Sequence, residues 1–269
     1  MSYANPAQYW EQRLRERFDL VGAGYGSLGP RYNAVLYAAR QAALERALGA
    51  CGRSLAGQRV LEIGCGSGFY AAYCQQAGVS EYIGADITAV SVRSLRARYP
   101  GYRFVRADIV GGLGLSLQAD VILIADVLFH IVDDDAFAAA LGHALELLAP
   151  GGILIVSDGF VPETVQPAAH VRHRSLADYD RALRRLGATR RLLVPVFAVL
   201  HPPIPTPAAR FPWRACARAW RYGMRLARAP LFDRLAPRLL RWADRHALPR
   251  IGLDAPNTKW MIATHADVA

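Results

Sequence analysis

A short apolar run that ends in an acid and then breaks into glycines, Val60-Leu61-Glu62-Ile63-Gly64-Cys65-Gly66-Ser67-Gly68, holds the residues best suited to binding chemistry. Glycines at such a point permit a tight turn from strand to helix and let a ligand approach bare backbone. Two further apolar runs end in acids downstream. Glu81-Tyr82-Ile83-Gly84-Ala85 leads into Asp86, and Tyr102-Arg103-Phe104-Val105-Arg106-Ala107 leads into Asp108. A carboxylate at the first of these ends can accept both hydrogen bonds of a ribose diol. Asp108 can accept from the exocyclic amine of adenine. The arrangement implies a cofactor that carries adenosine.

These groups converge only if the runs are parallel strands of one sheet, with helices between them and the ligand at the carboxyl edge. The pattern predicts strands at 58–63, 80–85, 102–106, 119–125 and 152–157, and helices at 68–77, 88–98 and 134–148, with Pro150-Gly151-Gly152 as the turn after the last helix. Upstream, residues 6–18 suit a helix, with Pro6 in its first turn and Tyr9, Trp10, Leu14 and Phe18 on one face. A loop containing Gly22, Gly24, Gly26 and Gly29 precedes an Ala-rich helix over 31–49. Ser175, with Asp178 three residues on, caps a helix running to Leu186 that Gly187 ends.

The chain resembles the class I S-adenosylmethionine-dependent methyltransferases. The resemblance rests on LEIGCGSG at 61–68, GADI at 84–87, RADI at 106–109, DVILIADVLFHIVDD at 120–134 and LLAPGGILIVSD at 147–158. It implies an α/β, Rossmann-like, seven-stranded and mostly parallel sheet with helices on both faces, completed by an antiparallel pair at 190–199 and 259–265. It also implies a cofactor, S-adenosylmethionine, and roles for residues around it. Gly64 and Gly66 would line the methionine portion, Glu62 would support its ammonium through the loop, and the carbonyl near Ala125 would hold that ammonium. Asp86 would take the ribose, Ile87 would pack on the adenine, and Asp108 with the Ile109 backbone would read the adenine edge. In such enzymes an N-terminal extension closes over cofactor and acceptor, which makes Tyr25, Tyr32 and Asn33 candidate lid contacts.

A nicotinamide dinucleotide is the rival cofactor, but its G-x-G-x-x-G fingerprint would need a third glycine where Phe69 stands. Lys259 is the chain's one lysine, and its position suits neither a dehydrogenase lysine nor a phosphate-binding loop.

Composition sets wider bounds. With 269 residues, 53% of them apolar, the chain can bury a full core. No run of about 18 uncharged apolar residues occurs, and the start lacks an export pattern. Cys51, Cys65, Cys74 and Cys216 form no C-x-x-C pair, in keeping with a reducing cytoplasm. The division expected is a helical lid over 1–50, a cofactor-binding core over 51–200, an insertion over 201–258 and a final core strand over 259–269.

That insertion departs from the minimal pattern and carries most of the net charge of +10. It holds eleven arginines against Asp233, Asp244 and Asp254. Arg210, Arg214, Arg218, Arg221, Arg225 and Arg228 recur at helical spacing beside Trp213, Trp220, Met224 and Ala227. Arg234, Arg238, Arg241 and Arg245 then recur beside Leu231, Leu235, Leu239 and Trp242. Both segments are basic amphipathic helices. The favoured expectation is that their apolar faces cap the active site; the other is peripheral contact of 210–245 with an anionic membrane on its inner face.

Methyl transfer from a sulfonium is an in-line displacement, so the residues beyond the cofactor report on the acceptor. A hydroxyl needs a base, an amine must be neutral, and a carboxylate needs neither. His130 follows the fourth strand and is the candidate base, Asp126 its positioning group, and Asp158 at the end of the fifth strand a candidate acceptor contact. Asp133, Asp134 and Asp135 suit the start of the next helix. His170-Val171-Arg172-His173 is too sparse in ligands for a metal site, and none is expected. The fourth strand lacks the [DN]-P-P-[YF] pattern of adenine amino-methylation, so nucleic acid is not expected as acceptor. The acceptor expected is a small molecule, sugar or lipid-linked glycan, with O-methylation ahead of N-methylation or carboxyl methylation. A noncatalytic S-adenosylmethionine-binding scaffold is the reading from another class.

Overall fold

The computed structural model describes residues 5–207, 211–227 and 235–266. At the N-terminus, α1 (Pro6–Glu16), α2 (Leu20–Ala23) and α3 (Pro30–Ala50) precede the sheet. There follow β1 (Arg59–Ile63), α4 (Phe69–Ala77), β2 (Glu81–Asp86), α5 (Ala89–Arg98), β3 (Arg103–Arg106), β4 (Ala119–Ala125), α6 (Asp134–Glu146) and β5 (Leu148–Asp158). A small hairpin of β6 (Val165–Ala168) and β7 (Val171–His173), then α7 (Leu176–Arg185) and β8 (Ala188–Pro195), lead to α8 (Phe211–Ala227), α9 (Ala236–Ile251) and β9 (Lys259–His265).

The seven-stranded sheet has the order β3-β2-β1-β4-β5-β9-β8. Strands β1 to β5 pair in parallel, and β9 runs antiparallel between β5 and β8. The chain reverses its direction of travel across the sheet between β1 and β4, and this switch point opens a crevice at their carboxyl ends. Strands covered on both faces are apolar where they are buried, which is why Tyr82–Ala85 of β2 and Val121–Ala125 of β4 read as apolar runs and β1 departs only at Glu62. One core lies on the face covered by α3 and α4, with Leu36, Leu44, Val60 and Trp260 buried; the other lies under α6 and α7, with Leu61, Ile122, Leu141 and Leu183 buried.

Three differences from the sequence reading have simple causes. Pro150-Gly151-Gly152 lies inside β5, where the pairing register with β4 shifts, because α6 already ends at Glu146. Ser175 caps α7 as expected, but the β6-β7 hairpin just before it was not foreseen, since four-residue and three-residue strands carry little periodicity. The described part of the insertion packs on α3 and β8. Asp244 of α9 is buried and accepts the N–H groups of Ala198, Val199 and Leu200 at 3.0, 2.5 and 3.1 Å, with its carboxyl pushed up to about 6 by burial. Expectations for Arg210, Arg228, Leu231 and Arg234 lie outside the described residues.

Candidate active site

The turn between β1 and α4 is shaped by its neighbours. Gly64 and Gly68 have φ of 83° and 85°, a region that strains any residue with a side chain. A Cβ on Gly64 would stand 2.3 Å from Cγ2 of Val127, and one on Gly68 2.4 Å from Cδ2 of Leu95. Glycine is therefore required by close approach on both sides of the turn. Its middle is pinned to β2 by the Gly66 N–H, which donates to Asp86 at 2.8 Å. The other oxygen of Asp86 accepts the N–H and the hydroxyl of Thr88 at 2.9 and 2.7 Å, and burial raises its pKa. With three donors on it, this carboxylate has room for about one more, so in this arrangement it has an acceptor position left for one hydroxyl of a diol rather than both.

Beside the turn lies a cavity of about 450 Å³. All eight residues expected at the cofactor, Glu62, Gly64, Gly66, Asp86, Ile87, Asp108, Ile109 and Ala125, lie on its wall. Glu62 is buried and receives the Tyr82 hydroxyl; burial pushes its pKa up to about 8, against the partial lowering that Tyr82 supplies. Asp108 sits exposed at the end of β3 and accepts the Val110 N–H at 3.0 Å. Tyr70 also lines the cavity, and its buried hydroxyl has no hydrogen-bond partner. An unsatisfied donor, bare glycine backbone and three acids around an apolar slot fit an amphoteric, cationic nucleoside.

The N-terminal helices close one side. Pro6, Trp10, Leu14, Ala23 and Tyr37 line the cavity, whereas Tyr25, Tyr32 and Asn33 do not. Those three anchor the closing segment instead. Asn33 is fully buried, accepts the Tyr25 N–H and donates to the carbonyls of Tyr25, Leu28 and Gly29, while Tyr32 donates to the Leu200 carbonyl at 2.8 Å. Helix α1 is latched by Glu11, which accepts the N–H groups of Ala89 and Val90 at the start of α5, at 2.6 and 3.2 Å. The aromatic stripe of α1 was the signal that could have found Trp10 and Leu14.

Past β4, Asp126 adopts φ of 57°, unusual for a residue other than glycine. Arg40 holds it at 2.5 Å, and its carboxylate accepts the Ser157 hydroxyl at 2.7 Å while its N–H donates to the same oxygen at 2.8 Å. A short turn over Leu128–His130 follows. Nδ1 of His130 lies 3.0 Å from the His170 carbonyl, and the Trp10 ring meets the imidazole edge-on at 5.2 Å. A carbonyl only accepts, so Nδ1 carries the hydrogen and Nε2 the lone pair. Burial depresses the His130 pKa to about 4, and the ring is neutral at pH 7.

Asp158 does not join this group. It is fully buried off the cavity wall, where it accepts the Tyr179 hydroxyl at 2.7 Å and the Gly159 N–H at 2.5 Å and pairs with His173 Nδ1 at 2.7 Å. Its strand continues past the crevice into pairing with Lys259, which turns the side chain toward α7. His170 stands in the hairpin turn, and among the described residues no three His, Cys, Asp or Glu side chains gather as a metal site. Nor does any described residue of 201–258, the segment expected to cap it, line the cavity.

Comparison with known proteins agrees with this geometry. Residues 60–152 match the family described as methyltransferase domain. No curated protein sequence matches the chain. Among solved structures, magnesium protoporphyrin IX methyltransferase from Synechocystis PCC 6803 with bound S-adenosylhomocysteine is similar over 71% of this chain and 92% of its own, at 20% identity and a TM-score of 0.53. The DhpI complex with S-adenosylhomocysteine is similar over 97% of this chain and 95% of its own, at 17% identity and a TM-score of 0.57. Those likenesses speak for the fold, and the domain match covers the glycine turn and the acids of β2 and β3. Residues 60–152 match a methyltransferase domain, and the chain around them has the fold of solved structures that bind S-adenosylhomocysteine.

Proposed function

We propose that the acceptor is a neutral hydroxyl compound, a small molecule, sugar or lipid-linked glycan, and that His130 takes its proton as the methyl group is transferred. The carrying observation is the character of the cavity wall. Among the described residues it presents Asp86, Asp108 and Asp133 beside His130, with Glu62 protonated at neutrality and Asp126 paired to Arg40, and no lysine or arginine lines it. Such a wall attracts a cation and repels an anion, which disfavours a carboxylate acceptor. It would also hold an amine acceptor in its protonated, unreactive form.

When bound, S-adenosylmethionine supplies a methyl group already activated by its sulfonium. The protein's contribution is alignment, exclusion of water and removal of one proton. Trp10, Leu14 and Tyr37 cover the crevice, while Arg40 and Ser157 hold the strained turn at Asp126 that aims His130. Nε2 of His130 accepts the proton of the hydroxyl as its oxygen forms the new bond to carbon. A base with a pKa near 4 is weak, so within that class the phenol or enol of a small molecule is favoured over the alkanol hydroxyls of a sugar or glycan. The cavity is near the lower end of the range for a single ligand site, so it accommodates the cofactor and only the reacting end of an acceptor.

The test is transfer of labelled methyl from S-adenosylmethionine to panels of phenols, sugars and lipid-linked glycans, carboxylic acids and amines, followed by alkali treatment of the products. An ether keeps its label in alkali and a methyl ester releases methanol. Alkali-stable label on hydroxyl compounds is expected; label confined to carboxylates or to amines would contradict the assignment.

A further inference from the structure

The outer face of α9 is apolar where the fold gives it nothing to cover. Leu235 just before the helix, Leu239 and Trp242 follow one another at spacings of four and three, on a single face, and are 49%, 59% and 62% exposed. The face that does pack carries Ala236, Leu240 and Asp244, all buried. Helix α9 therefore has two apolar faces, and the stripe expected to be core is the one turned outward. Tyr222 of α8 and Leu253 beyond α9 are likewise more than half exposed, so the exposed large apolar side chains among the described residues all fall between 222 and 253.

The charge on these helices has one sign. Arg214, Arg218, Arg221 and Arg225 of α8 and Arg238, Arg245 and Arg250 of α9 are exposed, and the one acid on the described part of either helix, Asp244, is buried. A second copy of the chain would bring one guanidinium face against another. A nucleic acid would match the arginines but leave Leu235 and Leu239 without a partner. Apolar side chains that include a tryptophan, flanked by cations, match the boundary between anionic headgroups and acyl chains. No described helix is long and apolar enough to cross a membrane, so contact would be from one side.

We propose that α9 docks this protein on an anionic lipid bilayer, with Leu235, Leu239 and Trp242 seated below the headgroups and Arg238, Arg245 and Arg250 on their phosphates. The residues concerned lie apart from the cofactor cavity, so docking and methyl transfer are separable.

Co-sedimentation of the full-length protein with phosphatidylcholine vesicles, with and without phosphatidylglycerol, tests this. Binding is expected only with phosphatidylglycerol, and it should weaken as salt rises. Joint replacement Arg238→Gln, Arg245→Gln and Arg250→Gln should lower the partition coefficient by about fivefold per arginine, about a hundredfold together. Leu239→Ser with Trp242→Ser should reduce it comparably, and unchanged S-adenosylmethionine binding by both variants would show that they fold. No binding, equal binding to neutral vesicles, or full retention by either variant would overturn the proposal. So would self-association of the free protein that the Leu239→Ser and Trp242→Ser variant abolishes.

Discussion

His130→Ala is expected to lower kcat on a hydroxyl acceptor by about 10²–10⁴-fold, the range for loss of a positioned general base, while the dissociation constant for S-adenosylmethionine stays within about twofold. The ring stands past β4 with its Nδ1 committed to the His170 carbonyl, so its basic nitrogen is Nε2. The pH profile supplies an independent reading. Burial depresses the pKa to about 4, so kcat/KM for the acceptor, at saturating S-adenosylmethionine, should be flat from about pH 5.5 upward and fall only as the pH drops through 4. An undisturbed histidine would instead give a limb near 6.5. Stability follows the same direction: a lowered histidine pKa contributes stability above about 6.5 that is lost as the pH falls through 4. Unchanged kcat in the alanine variant at saturating acceptor would remove His130 from the chemistry.

Cofactor affinity should rise with pH, by up to about tenfold per unit, and level off above about pH 8. Glu62 is the cause. Without ligand, burial pushes its pKa to about 8, so the carboxyl is protonated at neutrality. A bound ligand with ammonium and sulfonium charges favours the carboxylate, and binding must then release a proton over the window below 8. The stability of the free protein is expected to run the opposite way. A raised carboxyl pKa contributes stability that is complete below about 4.5 and lost as the pH rises through 8. Titration calorimetry in buffers of different ionisation enthalpy reads the proton directly, and Glu62→Gln should abolish both the release and the slope. Affinity independent of pH between 5 and 8 would contradict this role.

The cofactor half of the site was legible because its physics is local. A strand buried on both faces must be apolar, a turn squeezed between Val127 and Leu95 must be glycine, and an acid closing a strand falls on the ligand-binding edge. These constraints act within a few residues of one another, and the eight residues that the family resemblance built on them implies all line the cavity. What closes the cavity depends on long-range packing. Trp10 and Leu14 line it rather than Tyr25 and Asn33 because Glu11 reaches the N-terminus of α5, a contact 78 residues distant in sequence. The strained turn at Asp126 depends on Arg40, buried under Phe197, and no local pattern marks that pairing. Asp158 misled because the end of a strand shows its edge but not which way the side chain turns once Tyr179 and His173 compete for it. In α9 both faces are apolar, so helical periodicity could not say which one packs. Asp244, reaching three backbone N–H groups, decides it.

Calorimetric titration of the purified protein with S-adenosylmethionine, alongside NADH and an Asp86→Ala variant, tests the central claim most directly. The account predicts saturable binding of S-adenosylmethionine, none of NADH, and loss of binding in the variant, which removes the acceptor at the end of β2 and the anchor of the Gly66 N–H together. Binding of NADH in its place, or S-adenosylmethionine binding that survives Asp86→Ala undiminished, would contradict it.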